Sequence, residues 1–194
     1  MIIVSNLQKS FGPKQVLKGV NLKIYDGESL VILGPSGCGK SVLLKNIIGL
    51  MKPDAGQVII DGEDITRFEQ KKLDALRMRM GMLFQSAALF DSLNVEENVA
   101  FGLRRHTSLS NRAIHHIVSE KLEMVGLPGT NYLMPSELSG GMRKRVGLAR
   151  AIAMEPEIIL YDEPTTGLDP IMTSAIDELH LSLKERLGVT SIVV

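Results

Sequence analysis

Residues 34 to 41 of this chain read Gly34-Pro35-Ser36-Gly37-Cys38-Gly39-Lys40-Ser41. An apolar run at residues 29–33 precedes this stretch, and a helix-favouring run at residues 40–48 follows it. A strand, a glycine-rich turn and a helix with the spacing G-x-x-x-x-G-K-[ST] are typical of a phosphate-binding P-loop. Its glycines let several N–H groups point inward, and the helix adds its positive dipole end. The stretch predicts a nucleotide site; the alternative is a glycine-rich turn without a ligand.

Four polar residues near two apolar strands are candidates for the chemistry of this site. In a P-loop, Lys40 reaches the β- and γ-phosphates and the Ser41 hydroxyl ligates Mg²⁺. Asp162 and Glu163 follow the apolar residues 158–161. Asp162 is suited to hold the Mg²⁺ shell, and Glu163 to orient or deprotonate an attacking water. The alternative is that both acids belong to a solvated turn.

Composition bounds the class of protein. The chain has 194 residues, 44% of them hydrophobic and 23% charged, which is typical of one globular domain. Acidic and basic residues number 22 each, and five Phe, three Tyr and no Trp leave few platforms for stacking on bases, so we expect no nucleic-acid partner. Cys38 is the only cysteine, which favours a reducing compartment. No apolar run is long enough to cross a bilayer, so if the protein works at a membrane, we expect another subunit to supply the span.

Hydrophobic patterning predicts an α/β fold. Helical periodicity extends from residue 94 to about residue 154, with one helix after the P-loop and a long helix at residues 170–187. Uninterrupted apolar strands indicate a mostly parallel sheet that is covered on both faces. The predicted strands comprise residues 2–4, 20–24, 29–33, 57–60, 80–84, 157–161 and 189–194.

Residues 138–142 read Leu138-Ser139-Gly140-Gly141-Met142 and precede a helical run. Free N–H groups at the start of that helix would form a second anion site. The alternative is structural, with Ser139 as the N-cap of the helix.

The order of these motifs resembles the nucleotide-binding subunits of ABC transporters over essentially the whole chain. The resemblance implies a P-loop NTPase fold, with a RecA-like mostly parallel sheet, an N-terminal antiparallel β subdomain and an inserted α-helical subdomain. It implies one ABC ATPase domain at residues 1–194, with the catalytic core at residues 1–86 and 155–194. Residues 87–154 would form the helical subdomain that carries the signature loop.

The resemblance also implies ATP and Mg²⁺ as cofactors and a second copy of the chain as a partner. In that family the signature loop, here Ser139, Gly140 and Gly141, covers the γ-phosphate held by the P-loop of the other subunit. Each chain would then carry two half-sites.

Three further roles follow from the resemblance. Phe11 matches the aromatic residue that stacks on adenine; the alternative is a core phenylalanine. Gln85 matches a glutamine that contacts metal and water and senses the membrane subunit; the alternative is a solvated strand end. Asp169 matches a residue that crosses the subunit interface, and it is also a candidate N-cap for the helix at residue 170.

The sequence departs from the family pattern at three places. Met142 replaces a common glutamine, which leaves the backbone donors in place. Val42, counted among the nucleotide-binding residues, replaces a common threonine. The family also places a histidine just after the strand at residues 189–194, so we expect full turnover to need a residue beyond Val194. His180 lies too early in the order to replace it, and His115 and His116 are predicted to be solvated.

The resemblance is strongest to the branch that serves lipid trafficking in bacterial envelopes and plastids, including Mla-type phospholipid transporters with MCE-domain partners. It implies an ATPase subunit in the cytoplasm, held at the inner face of the membrane by a permease. Two alternatives stay open: a nucleotide-binding fragment with little hydrolysis, and an ABC-type machine that acts without transport. We also expect alkylation of Cys38 to block nucleotide binding and ATP to protect it.

Overall fold

Two four-stranded sheets form the framework of the protein. The computed structural model describes residues 1–194. The antiparallel sheet has the order β2-β1-β4-β5, and the parallel sheet has the order β3-β8-β7-β6. The strands are β1 (Ile2–Phe11), β2 (Lys14–Ile24), β3 (Ser29–Val31), β4 (Ala55–Ile60), β5 (Glu63–Asp64), β6 (Met80–Leu83), β7 (Ile158–Tyr161) and β8 (Thr190–Val193).

Six α-helices surround these sheets, and several begin at capping residues. Asn94 forms a capping box with Glu97, and Ser110 accepts a hydrogen bond from the third residue of the next helix. Gly188 ends the last helix in the left-handed region, at φ 63°. The helices are α1 (Lys40–Ile47), α2 (Gln70–Arg77), α3 (Val95–His106), α4 (Asn111–Met124), α5 (Gly140–Ile152) and α6 (Pro170–Leu187).

Strand β7 of the parallel sheet is buried on both faces. Successive residues of a strand point to opposite faces, and β7 divides its side chains accordingly. Ile159 and Tyr161 belong to the core that contains residues of α3, α4 and α5. Ile158 and Leu160 belong to the core shared with α1 and the antiparallel sheet. This two-sided burial explains why β7 is apolar at every position.

The predicted α/β class, with a parallel and an antiparallel sheet, is confirmed, and α6 has the predicted bounds. β1 and β2 are longer than predicted, because polar residues of both strands join the antiparallel ladder that pairs Phe11 with Lys14. β3 ends at Val31 rather than at residue 33, and Leu33 is 89% exposed. Helix α2 was missed because it is short and rich in charge. The division at residues 86/87 and 154/155 stays a prediction.

No helix combines the length and the apolar character needed to span a membrane.

Candidate functional site

The candidate site lies where three parallel strands end. The P-loop follows β3, Gln85 follows β6, and Asp162 and Glu163 follow β7. Carboxyl ends of parallel strands share one edge of a sheet, and ligands of open α/β sheets bind outside that edge. Asp162 N–H donates to the carbonyl of Leu83 at 2.9 Å, which fixes the acids beside β6.

The backbone of the P-loop requires glycine at two positions. Gly37 has φ +76° and Gly39 has φ +110°, and both values lie outside the range that other residues readily adopt. A Cβ atom on Gly39 would lie 2.8 Å from Cγ1 of Val16. Helix α1 then begins at Lys40 without a side-chain cap. Its first N–H groups therefore remain available to an anion such as a phosphate.

The ammonium group of Lys40 points back over the P-loop. Its Nζ donates to the carbonyl oxygens of Gly34 at 3.1 Å and Pro35 at 3.3 Å. It also lies 3.5 Å from Oε1 of Glu163. The Lys40 ammonium thus lies between the loop and the carboxylate of the predicted catalytic residue.

Ser41 and Asp162 meet directly. Ser41 Oγ donates to Oδ1 of Asp162 at 2.6 Å, and Asp162 is only 5% exposed. A hydroxyl and a carboxylate are hard oxygen ligands of the kind that Mg²⁺ prefers. The donor set therefore fits the predicted metal.

The Glu163 carboxylate is held by Gln85, Thr166 and the ammonium of Lys40. Its Oε2 accepts hydrogen bonds from Gln85 Nε2 and from Thr166 Oγ1, each at 3.0 Å. Its backbone has φ +46°, a left-handed conformation that costs about 1 kcal/mol for a residue with a Cβ atom. Strain of this kind persists where the surroundings fix it, and it occurs often at functional sites. The carboxylate is thus aimed at the space in front of Lys40.

Phe11 ends β1, and its ring is 47% exposed. The alternative of a core phenylalanine is therefore wrong, while stacking on adenine stays a prediction. Val42 is partly buried and packs on the core beneath α1. The side chain of Gln85 is exposed, yet it is held by Glu163 rather than simply solvated.

The signature loop lies apart from the P-loop of its own chain. Ser139 caps α5 by accepting from Met142 N–H at 3.2 Å, and Asp169 caps α6 by accepting from Met172 N–H at 2.9 Å. Both capping alternatives are confirmed. No hydrogen bond or ion pair joins Ser139, Gly140 or Gly141 to residues 34–41. The structure brings together Lys40, Ser41, Asp162 and Glu163, and it links residues 139–141 to none of them by a hydrogen bond or ion pair.

His180 and His115 each contact other side chains of the protein. The His180 ring stacks on Tyr161 with 4.2 Å between centroids, and its Nε2 lies 3.3 Å from Ser191 Oγ. Burial lowers the pKa of His180, with smaller opposed contributions from neighbouring charges. His115 is exposed, as predicted, and its Nδ1 lies 2.8 Å from Oε2 of Glu96. No group of three or more His, Cys, Asp or Glu side chains is placed to hold a metal ion.

Lys144, a buried residue of α5, is a functional candidate that no motif in the sequence indicates. Its Nζ donates to the carbonyl of Gln85 and, at 3.2 Å, to that of Glu163. Burial lowers the pKa of Lys144, and the nearby Asp162 and Glu163 carboxylates oppose that shift. The sequence does contain one sign of such a role: this lysine lies on the apolar face of α5, four residues before the buried Leu148.

The fold and the residues at its carboxyl edge define a P-loop NTPase. The family model described as "ABC transporter" matches residues 17–166. The chain therefore belongs to the ABC transporter family.

Relatives and solved structures agree with this membership. The chain is 48% identical over 193 residues to the "probable ribonucleotide transport ATP-binding protein mkl" of Mycobacterium leprae, covering 100% of this chain and 56% of that protein. It is 49% identical over 194 residues to the "intermembrane phospholipid transport system ATP-binding protein MlaF" of Haemophilus influenzae, covering 100% of this chain and 74% of that protein. The chain thus spans little more than half of the mycobacterial relative and about three quarters of the Haemophilus protein.

Among solved structures, the chain resembles a dimeric, post-hydrolysis state of the ATP-binding cassette MJ0796 bound to ADP and Pi. The TM-score is 0.91 at 36% identity, and the match covers 100% of this chain and 87% of that one. The predicted family and fold are both confirmed.

Proposed function

We propose that this chain is an ATPase that binds Mg-ATP with its own P-loop and hydrolyses it in a dimer. The observation that carries the proposal is the cluster formed by Lys40, Glu163 and Gln85 beside the contact of Ser41 with Asp162. These groups belong to three separate loops, yet they converge on one space at the edge of the sheet. A phosphate anion and an oxygen-binding cation both match that space in charge.

Each residue of the cluster has a proposed task. The backbone N–H groups of the P-loop and the Lys40 ammonium hold the phosphates. Ser41 and Asp162 hold Mg²⁺, which supplies neutralisation of phosphate charge when it is bound. Glu163 orients or deprotonates the attacking water, and Gln85 keeps the carboxylate in position through its 3.0 Å hydrogen bond. Phe11 offers an exposed ring for the adenine base.

A second copy of the chain would complete the site. The signature residues Ser139 to Gly141 have no bond to their own P-loop, although the N-terminus of α5 is a suitable anion site. The dimeric state of the ATP-binding cassette MJ0796 supports this arrangement. In the proposed dimer, each signature loop faces the γ-phosphate on the other copy, and Asp169 lies near the interface.

The partner in the membrane would be a permease subunit that holds the chain at the inner face. An exposed aromatic pair supports a docking surface close to the site. The rings of Phe90 and Phe101 lie 4.7 Å apart, and their side chains are 43% and 44% exposed. Phe90 lies in the loop that begins at Gln85, so an occupant of this surface would touch the same loop as the ATP site. The proposed helical subdomain, residues 87–154, would carry this surface.

For cargo we propose phospholipid or another envelope lipid, with an MCE-domain protein as a further partner. The name of the Haemophilus relative, a phospholipid transport protein, supports this assignment. The mycobacterial relative is named for ribonucleotide transport and has nearly the same identity, so ribonucleotide is the second candidate cargo. The fold and the ATP site do not identify the cargo, because one fold hosts many functions.

The ATPase proposal is tested by measuring Mg-ATP binding and phosphate release on the purified chain over a range of protein concentrations. We expect release to rise faster than linearly with protein concentration, because the active species is a dimer. Glu163→Gln should bind ATP normally and lower turnover about 100-fold or more, the range expected when a general base is lost. Equal phosphate release by both proteins would refute the proposal.

The cargo proposal needs the membrane complex. The tagged chain is purified from its own cells with its permease in detergent, and the bound small molecules are identified by mass spectrometry. Phospholipid retained by the complex, and lost when the permease is removed, is the expected result. Enrichment of ribonucleotides other than ATP and ADP would favour the second candidate.

A further inference from the structure

A lysine is buried in the junction between the two loops that form the water-activating part of the site. Lys144 is 6% exposed and lies on α5, one turn after the start of the helix. Its ammonium donates to the backbone carbonyls of Gln85 and Glu163. Those residues follow different strands, β6 and β7, and no other side chain donates a hydrogen bond to both carbonyls.

Burial of an ammonium group is unfavourable unless its hydrogens find acceptors. Lys144 forms no ion pair within 4.0 Å, and both of its hydrogen-bond partners are neutral carbonyls. An apolar residue at this point of α5 would leave both carbonyls without this donor in a closed part of the protein. The presence of a lysine at this buried position is therefore explained by its hydrogen bonds to the two loops.

The position of the two carbonyls determines where the catalytic groups lie. Glu163 has the left-handed φ of +46°, and its carboxylate accepts a hydrogen bond from the Gln85 amide at 3.0 Å. A hydrogen bond thus joins the side chains of Gln85 and Glu163, and the ammonium of Lys144 joins their backbones. Loss of the ammonium would remove the one side-chain donor that both backbones share, while Glu163 would keep its N–H bond to Val194 and the bond that its carbonyl accepts from Thr166.

We propose that Lys144 is a positioning residue for hydrolysis, which ties α5 to the backbones of Gln85 and Glu163. The proposal rests on the ATPase function proposed above. Helix α5 supports the same loop at two more carbonyls, because Arg150 donates to Ala87 at 2.6 Å and to Ala88 at 2.7 Å. Ala87 and Ala88 both have positive φ, so this loop depends on α5 for its conformation.

The test uses Lys144→Met, which keeps the length of the side chain and removes its donors. Lys71→Met is the matched control, because Lys71 is exposed on α2 and has no hydrogen bond or ion pair. Lys144→Gln, which keeps one donor group, is measured in parallel. It replaces Lys144→Met in the comparison if Lys144→Met does not fold. Amide hydrogen exchange is recorded on the nucleotide-free proteins, and ATP affinity, kcat and KM are measured separately.

For Lys144→Met we expect amides of residues 85–88 and 163–166 to exchange about tenfold faster, since both loops lose a tether. ATP affinity should stay unchanged, and kcat should fall about 10- to 100-fold, the effect of a small displacement of catalytic groups. Lys71→Met should change none of these quantities. A purely structural lysine would instead lower ATP binding and turnover together.

Unchanged exchange in both loops would overturn the proposal, as would unchanged kcat in spite of faster exchange. A fall in turnover that only follows a fall in ATP binding would also overturn it. If the unmodified chain binds ATP but releases no more phosphate than Glu163→Gln, the ATPase proposal fails instead. Hydrogen exchange then still decides whether Lys144 ties the two loops.

Discussion

Ser41 Oγ donates a 2.6 Å hydrogen bond to Oδ1 of Asp162, although the two residues are 121 positions apart in the chain. The contact brings the first turn of α1 to the end of β7. We expect Asp162→Asn to raise the Mg²⁺ concentration needed for half-maximal activity by about 10- to 100-fold, because a carboxylate partner of the metal is lost. Phosphate release at increasing Mg²⁺ concentration measures this change.

Binding of ATP in the presence of EDTA should be the same for Asp162→Asn and the unmodified chain, since the P-loop is intact. Asp177→Asn is the control, because Asp177 is exposed on α6 and forms no hydrogen bond. An unchanged Mg²⁺ requirement in Asp162→Asn would contradict the proposed metal position.

Cys38 is exposed at the centre of the P-loop, and its Sγ atom lies 2.9 Å from the position that a Cβ atom on Gly34 would occupy. A group added to this sulfur would fill the space above the loop. We therefore expect alkylation with N-ethylmaleimide to abolish ATP binding, and ATP added first to slow the reaction. Cys38→Ser should bind ATP and be insensitive to the reagent. Normal ATP binding by fully alkylated protein would rule out this prediction.

The local features of the site could be predicted from the sequence, because each one depends on a short segment. The P-loop needs glycines at fixed spacing, and β7 shows its burial as an unbroken apolar run before Asp162. The caps Ser139 and Asp169 were likewise visible from their positions before the helices α5 and α6.

The contacts between segments could not be predicted in this way. Lys144 meets the carbonyl of Gln85 across 59 positions, and nothing in either segment indicates the other. Asn98 gives a second example. It is fully buried and bonds the backbones of Phe90, Leu93 and Asn94, yet in the sequence it is one polar residue on a helix. Such residues are recognised only when the packing of the elements is known.

Gly81 shows how closely β6 approaches α5. A Cβ atom on Gly81 would lie 2.4 Å from the backbone oxygen of Ala151, which cannot turn aside as a side chain can. We expect Gly81→Ala to lower the free energy of unfolding by about 1 to 3 kcal/mol, the usual cost of overpacking. Urea denaturation measures the change.

In the control Gly102→Ala, the new methyl group would meet the flexible Met154 side chain at 3.2 Å, and little loss of stability is expected. Equal stability of Gly81→Ala and the unmodified chain would contradict this packing.

Acid should destabilise the protein through His180. Burial lowers its pKa in the folded state below the ordinary value of 6.5, so the unfolded chain binds the proton more readily. The stabilisation is complete above pH 6.5 and is lost as the pH falls through the pKa of the folded state. His180→Phe keeps an aromatic ring against Tyr161 and removes the titrating group. Denaturation curves between pH 5 and pH 8 should therefore show a smaller loss of stability at low pH for this variant. The same loss in both proteins would assign the acid sensitivity to other groups.

The exposed pair of Phe90 and Phe101 should matter for the permease and not for ATP. The aromatic surface follows Gln85 in the chain, and Phe101 lies on α3 with 44% of its side chain exposed. Phe101→Ser is expected to leave ATP binding and the phosphate release of the isolated chain unchanged, because the ring packs on Phe90 and belongs to none of the residues proposed to bind ATP. It should reduce recovery of the permease with the tagged chain about tenfold, which corresponds to the loss of one buried aromatic anchor.

Leu109→Ser is the control, since Leu109 is an exposed apolar residue beyond the end of α3. Full recovery of the permease with Phe101→Ser would place the docking surface elsewhere on the chain.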